Sequence, residues 1–134
     1  MEVVIIMNDH SELLSKTLGI IYPFILIIGI YITVNGHLSP GGGFQGGAVI
    51  SAIFICKYLI LPIHDTQLDR IQMIEKLALV FILLFPVTFV FMQLNIQFPE
   101  FNRIYLILMN TLIALKVACG LSIIFFRFVY YEIR

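Results

Sequence analysis

Two lysines and a histidine are the residues of this chain whose type and placement could do chemistry. Lys116 lies deep in an apolar run, ten to twelve residues from either end of the segment 104–126. At ~1.5 Å of helix per residue, that puts it about 15 Å or more from each surface. A lysine stem snorkels over only part of such a distance. An ammonium held in hydrocarbon costs at least ~2.5 kcal/mol on insertion scales, so such a residue usually has a partner or a cavity, and often takes part in proton or ion movement. The plain alternative is a lysine tolerated in a crevice between helices. Lys57 sits about five residues before Pro62, near the end of its own apolar run, and snorkelling accounts for it. His37 borders a glycine-rich stretch; it either titrates near neutral pH or caps the helix before it. No Asp or Glu falls inside the four apolar runs at 17–34, 44–62, 77–94 and 104–126. A carboxylate paired with either lysine in the membrane is therefore expected from another polypeptide.

Other chemistry is excluded by the same inventory. There is no nucleophile, base and acid set and no carboxylate pair, so no catalytic residue is assigned. Cys56 and Cys119 lie in apolar runs with no ligand spacing around them, where cysteine packs as a small hydrophobe. No metal site and no cofactor are expected. Acidic and basic residues balance at eight each, which offers nothing to nucleic acid.

The stretch that positions these residues is Asn35 to Gly47, NGHLSPGGGFQGG, with six of the nine glycines. Pro40, Gly41, Gly42, Gly43, Phe44, Gln45, Gly46 and Gly47 form its centre, where backbone geometry and close approach outweigh side-chain packing. Gly43, Gly47 and Ser51 recur every four residues, a spacing that lets helices touch in lipid. The G-x-G-x-x-G at Gly41, Gly43 and Gly46 is accidental as a dinucleotide fingerprint, because an apolar helix and not a strand precedes it.

The supporting elements follow from composition. Hydrophobic residues make up 60% of the 134 and charged residues 12%, outside the range of water-soluble domains. The expectation is an all-α integral membrane protein, one domain over 1–134, with four transmembrane helices at the runs given above. Each approaches the ~20 residues needed to cross. Met1 to Lys16 reads as a membrane-surface segment or, more simply, a solvated tail, with Val3 to Met7 too short a run for a signal peptide; His64 to Lys76 reads as a polar connection, Asn95 to Arg103 as a turn and Arg127 to Arg134 as a tail. Pro86 is expected to kink the third helix. Lys16, Arg70, Lys76, Arg127 and Arg134 fall on one side and only Arg103 on the other, which makes both termini cytoplasmic in a multi-pass cell-membrane protein.

The twelve residues Gly36 to Gly47, placed between the first two of four apolar helices, closely resemble the signature of the MnhB (MrpB) family, small components of the multisubunit cation/proton antiporters called Mrp or Mnh. The resemblance in layout covers nearly the whole chain. It implies a small four-helix subunit assembled in the lipid bilayer with larger proton-translocating subunits related to those of respiratory complex I, and with Na+ and H+ as the ions moved. It also implies kinship with the antiporter module of membrane-bound hydrogenases and sulfane reductases. It assigns no role to Lys116 or Lys57. The expected function is a non-catalytic subunit contributing to a cation or proton path, either in a free-standing antiporter or in the ion-translocating arm of a redox complex. The alternative is a purely structural helix-packing subunit. Sodium binding by this chain alone is not expected, because a hard cation needs several oxygen ligands.

Overall fold

The computed structural model describes residues 2–60, 68–92 and 100–132. Four helices account for nearly all of them: α1 (Glu2–Val34), α2 (Gly43–Ile60), α3 (Leu68–Phe91) and α4 (Glu100–Glu132). Three contain stretches long and apolar enough to cross a membrane, at Glu12–Val34, Leu68–Phe91 and Glu100–Val129; the apolar stretch of α2, Gly43–Lys57, is shorter. At 18 residues, α2 extends about 27 Å against a hydrocarbon core of ~30 Å.

The distribution of side chains is that of a membrane protein. Ile20, Phe24 and Ile27 of α1, Leu83 and Val90 of α3, and Ile124 and Phe128 of α4 are all more than half exposed. The buried positions are mostly small, among them Thr33, Ser51, Ala78, Ala114, Ala118 and Ser122. In lipid the hydrophobic effect does not drive helices together, and close contact through small residues takes its place. The hydroxyls bond to their own helices, as they must where water is absent. Thr33 donates to the carbonyl of Gly29 at 2.8 Å, Ser122 to that of Ala118 at 2.7 Å and Thr111 to that of Ile107 at 2.8 Å.

Helix α4 is the organiser. It packs along α2 and α3 and touches α1 lightly, α1 packs along α2, and α3 meets no other described helix. Although α2 and α3 are neighbours in sequence, α4 lies between them.

Three helices are longer than hydropathy limits suggest. α1 begins at Glu2 and not at residue 17, since the charges of its first part do not interrupt a helix; Lys16 pairs with Glu12 one turn back at 2.8 Å. α3 begins at Leu68, so the described part of the expected polar connection is helical. Its first turns carry Asp69, Arg70 and Lys76 on the exposed side, while Ile71, Gln72, Glu75, Ala78 and Ile82 form one covered stripe at helical period, the pattern of a packed helix. α4 runs from Glu100 to Glu132, taking in part of the expected turn and part of the expected tail. Pro62 and residues 95–99 lie outside the described residues. α3 continues through Pro86, and two residues later the Thr88 hydroxyl contacts the carbonyls of Leu84 and Phe85 at 3.2 and 2.9 Å.

Candidate functional site

Lys116 is the central residue of α4, sixteen positions from each end, or about 24 Å along the helix. Its Nζ donates to Glu75 Oε1 at 2.6 Å, and the two side chains are 31% and 26% exposed. The partner expected from another polypeptide is thus in this chain. Hydropathy assigns the charge-dense stretch before residue 77 to a connection, whereas the helix starts nine residues earlier and turns Glu75 onto its covered stripe. A half-covered pair at 2.6 Å holds both charges where neither would be stable alone. It leaves two ammonium protons and the second carboxylate oxygen for other partners. Further along the same hairpin, Phe89 of α3 stacks on Tyr105 of α4 with ring centroids 4.2 Å apart.

The opposite face of the same stretch of α4 is held by α2. A Cβ at Gly47 would lie 2.5 Å from the Ala114 carbonyl oxygen and 2.9 Å from its Cα, and one at Gly43 would collide with the Asn110 carbonyl and meet Ile113. Ser51, the next position on this face, is 3% exposed. Gly46 turns to α1 instead: a Cβ there would strike the Thr33 hydroxyl and approach the Gly29 carbonyl. The glycines therefore seat α2 against two helices at once. α4 is clamped there with Ala114 and Ala118 buried on one side and Lys116 projecting to α3 on the other.

The hairpin that precedes α2 is equally tight. Gly41 and Gly42 have φ of 149° and 109°, values that side-chain-bearing residues rarely adopt. Gly36 and Gly42 meet so closely that a Cβ on Gly36 would overlap the Gly42 Cα; it would also come within 2.9 Å of Asn110 Nδ2. The side chain of Asn110 thus fills a notch that only glycines leave open. Gln45 folds back over Gly41, and Pro40 and Phe44 are exposed.

His37 Nδ1 lies 3.0 Å from the carbonyl of Val34, the last residue of α1. A contact to a carbonyl requires the proton on Nδ1, and Nε2 is buried with no partner among the described residues. Lys57 is exposed in the last turn of α2 and pairs with no carboxylate among the described residues. The structure therefore brings Lys116 to Glu75, leaves His37 at the glycine hairpin and keeps Lys57 at a helix end. Sequence reasoning missed two residues. Glu75 carried a signal in the covered period of α3, and Asn110 was a lone amide in an apolar run.

Residues 13–123 match the family described as a domain related to the MnhB subunit of Na+/H+ antiporter. A protein of Staphylococcus haemolyticus named as antiporter subunit mnhB2 is 34% identical over 59 residues, 44% of this chain and 42% of its own length. Its namesake in Staphylococcus aureus is 30% identical over the same extent. An uncharacterized protein of Methanocaldococcus jannaschii is 40% identical over 50 residues, 37% of this chain and 19% of its own length. The match to the named antiporter relatives spans about two fifths of their length. No solved structure matches. With a family match running from the first apolar helix to the last, over a helical chain built on a glycine hairpin, this protein belongs to the family of domains related to the MnhB subunit of Na+/H+ antiporter.

Proposed function

We propose that this chain is a non-catalytic subunit of a multisubunit sodium/proton antiporter assembly and that its Glu75–Lys116 pair is a proton-exchange station on the assembly's ion path. The single observation that carries this reading is the 2.6 Å bond between an amine and a carboxylate on two apolar helices, with both groups part-covered. In that geometry a proton passes from Nζ to Oε1 without any displacement of heavy atoms. The pair becomes a neutral amine and a neutral carboxylic acid with no change in net charge. The remaining ammonium protons and carboxylate oxygen connect the station to neighbouring subunits. His37, with its buried Nε2, and Lys57 are secondary candidates for the same path.

In this reading all four helices are embedded in the bilayer, both termini are cytoplasmic, and the neighbours include large proton-translocating subunits of the complex I type. The assembly is either a free-standing antiporter or the ion-translocating arm of a membrane-bound hydrogenase or related redox complex.

A second reading, a subunit that only packs helices, is favoured by the close seating of Gly43 and Gly47 on α4. The two readings separate in the assembled complex. If Lys116→Ala stops cation/proton exchange in vesicles while the complex still assembles, the relay is supported. If exchange survives Lys116→Ala and only Gly43→Leu, by preventing assembly, removes it, the packing role stands.

A further inference from the structure

The two helical hairpins of this protein are of unequal height. The α1–α2 hairpin closes where Gly36, Gly42 and Gly43 meet Asn110, ten residues after α4 begins at Glu100. About 15 Å of α4 therefore continues past that level, together with the end of α3, whose Phe89 stacks on Tyr105. The loop between Gly36 and Gly42 regains only part of the difference, because it is folded into turns: the amides of Leu38 and Ser39 both bond back to the Asn35 carbonyl, at 2.9 and 3.1 Å.

The α3–α4 pair is apolar on its outside as far as its described residues reach. Val90, Phe91 and Met92 are 72%, 83% and 66% exposed, and Ile104 is 59% exposed. Such a surface belongs in hydrocarbon, with the boundary to water near Glu100 and Arg103. The glycine hairpin then lies below that boundary, yet it exposes Ser39, Pro40 and Gln45 and the backbone of Gly41. Irregular backbone at membrane depth is tolerated only where protein covers it or where it lines an aqueous cavity. Leu38 and Phe44, 72% and 63% exposed on the same hairpin, argue against an aqueous cavity. The stretch 35–47 contains no Asp, Glu, Lys or Arg, and its one ionisable side chain, His37, is turned back to the Val34 carbonyl, so its exposed groups call for no ionic partner.

We infer that the step above the glycine hairpin is a docking surface for a transmembrane helix of another subunit, one that is uncharged at this depth, bonds to the loop's polar groups and receives Leu38 and Phe44 in apolar contacts. This inference rests on the proposed multisubunit assembly and not on the Glu75–Lys116 pair, so it holds whether or not that pair moves protons.

The test uses the whole assembly in its own membrane, with Cys56 and Cys119 replaced by alanine. Single variants Ser39→Cys, Gln45→Cys and, as a control at the boundary, Arg103→Cys are treated with a membrane-impermeant maleimide, and a photo-cross-linking residue is placed at Leu38 and at Phe44 in turn. The expected result is labelling of the control, labelling of both loop cysteines slower by at least an order of magnitude, and cross-links from Leu38 or Phe44 to an identified membrane subunit of the complex. Labelling of the loop cysteines as fast as the control overturns the inference in favour of an aqueous vestibule. Cross-links to lipid alone or to a second copy of this chain, or none to another subunit, overturn it as well.

Discussion

Lys116 on α4 and Glu75 on α3, 41 positions apart in sequence, are joined by a bond of 2.6 Å between apolar helices. α3 touches no other described helix than α4. This pair and the Phe89–Tyr105 stack are two specific contacts along the α3–α4 seam. The pair lies at the centre of α4 and the stack toward the N-terminal end of α4.

Removing either charge alone leaves the other uncompensated. Breaking a buried pair in this way costs ~3–5 kcal/mol, and the roughly one-third exposure of these groups brings the expected loss toward ~1–3 kcal/mol after screening. Lys116→Ala and Glu75→Ala are each expected to lower the thermal stability of the detergent-solubilised complex. The double variant Glu75→Leu/Lys116→Met is expected to recover most of it. A double variant less stable than both singles contradicts the pairing.

Gly41 and Gly42 hold backbone conformations that cost other residues ~1–3 kcal/mol. Gly41→Ala first meets the movable Gln45 and Ile32 side chains, so its penalty is mainly conformational. Gly43→Leu and Gly47→Leu instead drive a side chain into the backbone of α4. The expected order of damage to assembled yield, measured by size-exclusion of the solubilised complex, is wild type, then Gly41→Ala, then the two leucine variants, which are expected to abolish assembly.

At the notch between Gly36 and Gly42, Asn110→Leu puts a branched apolar group where a flat amide fits. It is expected to destabilise by ~1–3 kcal/mol, as overpacking does. Asn110→Asp keeps the shape and places an uncompensated charge beside the hairpin. Stability in detergent at neutral and acidic pH checks both: the aspartate variant should recover at acidic pH, where its carboxylate is protonated, and the leucine variant should not.

His37 can be dissected by amide mimicry. Asn places its nitrogen where Nδ1 stands and can keep the bond to the Val34 carbonyl, whereas Gln reaches the Nε2 position. If capping is the role of His37, exchange activity is retained in His37→Asn and reduced in His37→Gln. Loss in both variants, with assembly intact, points to a titrating imidazole.

The sequence discloses some of these relationships and hides others for physical reasons. Lys116 and the glycine stretch stand out because each violates the composition around it. Glu75 does not, because Asp65, Asp69, Arg70 and Lys76 surround it and averaging over the window hides the one charge that faces inward. Only the helical period of Ile71, Glu75, Ala78 and Ile82 separates it from its neighbours. The same averaging shortens α1, α3 and α4, since hydropathy marks where a helix enters lipid and not where its hydrogen bonds begin. Asn110 is hidden for another reason. Its role exists only through Gly36 and Gly42, which the α1–α2 turn carries to it from more than sixty residues upstream.

The central claim is that the Glu75–Lys116 pair moves protons and does not merely fasten α3 to α4. Sodium-driven proton exchange by the purified, reconstituted assembly carrying Glu75→Gln/Lys116→Gln tests it most directly, because two uncharged, hydrogen-bonding side chains can hold the seam while neither titrates. The account predicts a complex of normal composition that no longer exchanges sodium for protons. Exchange at the wild-type rate in that variant would contradict it.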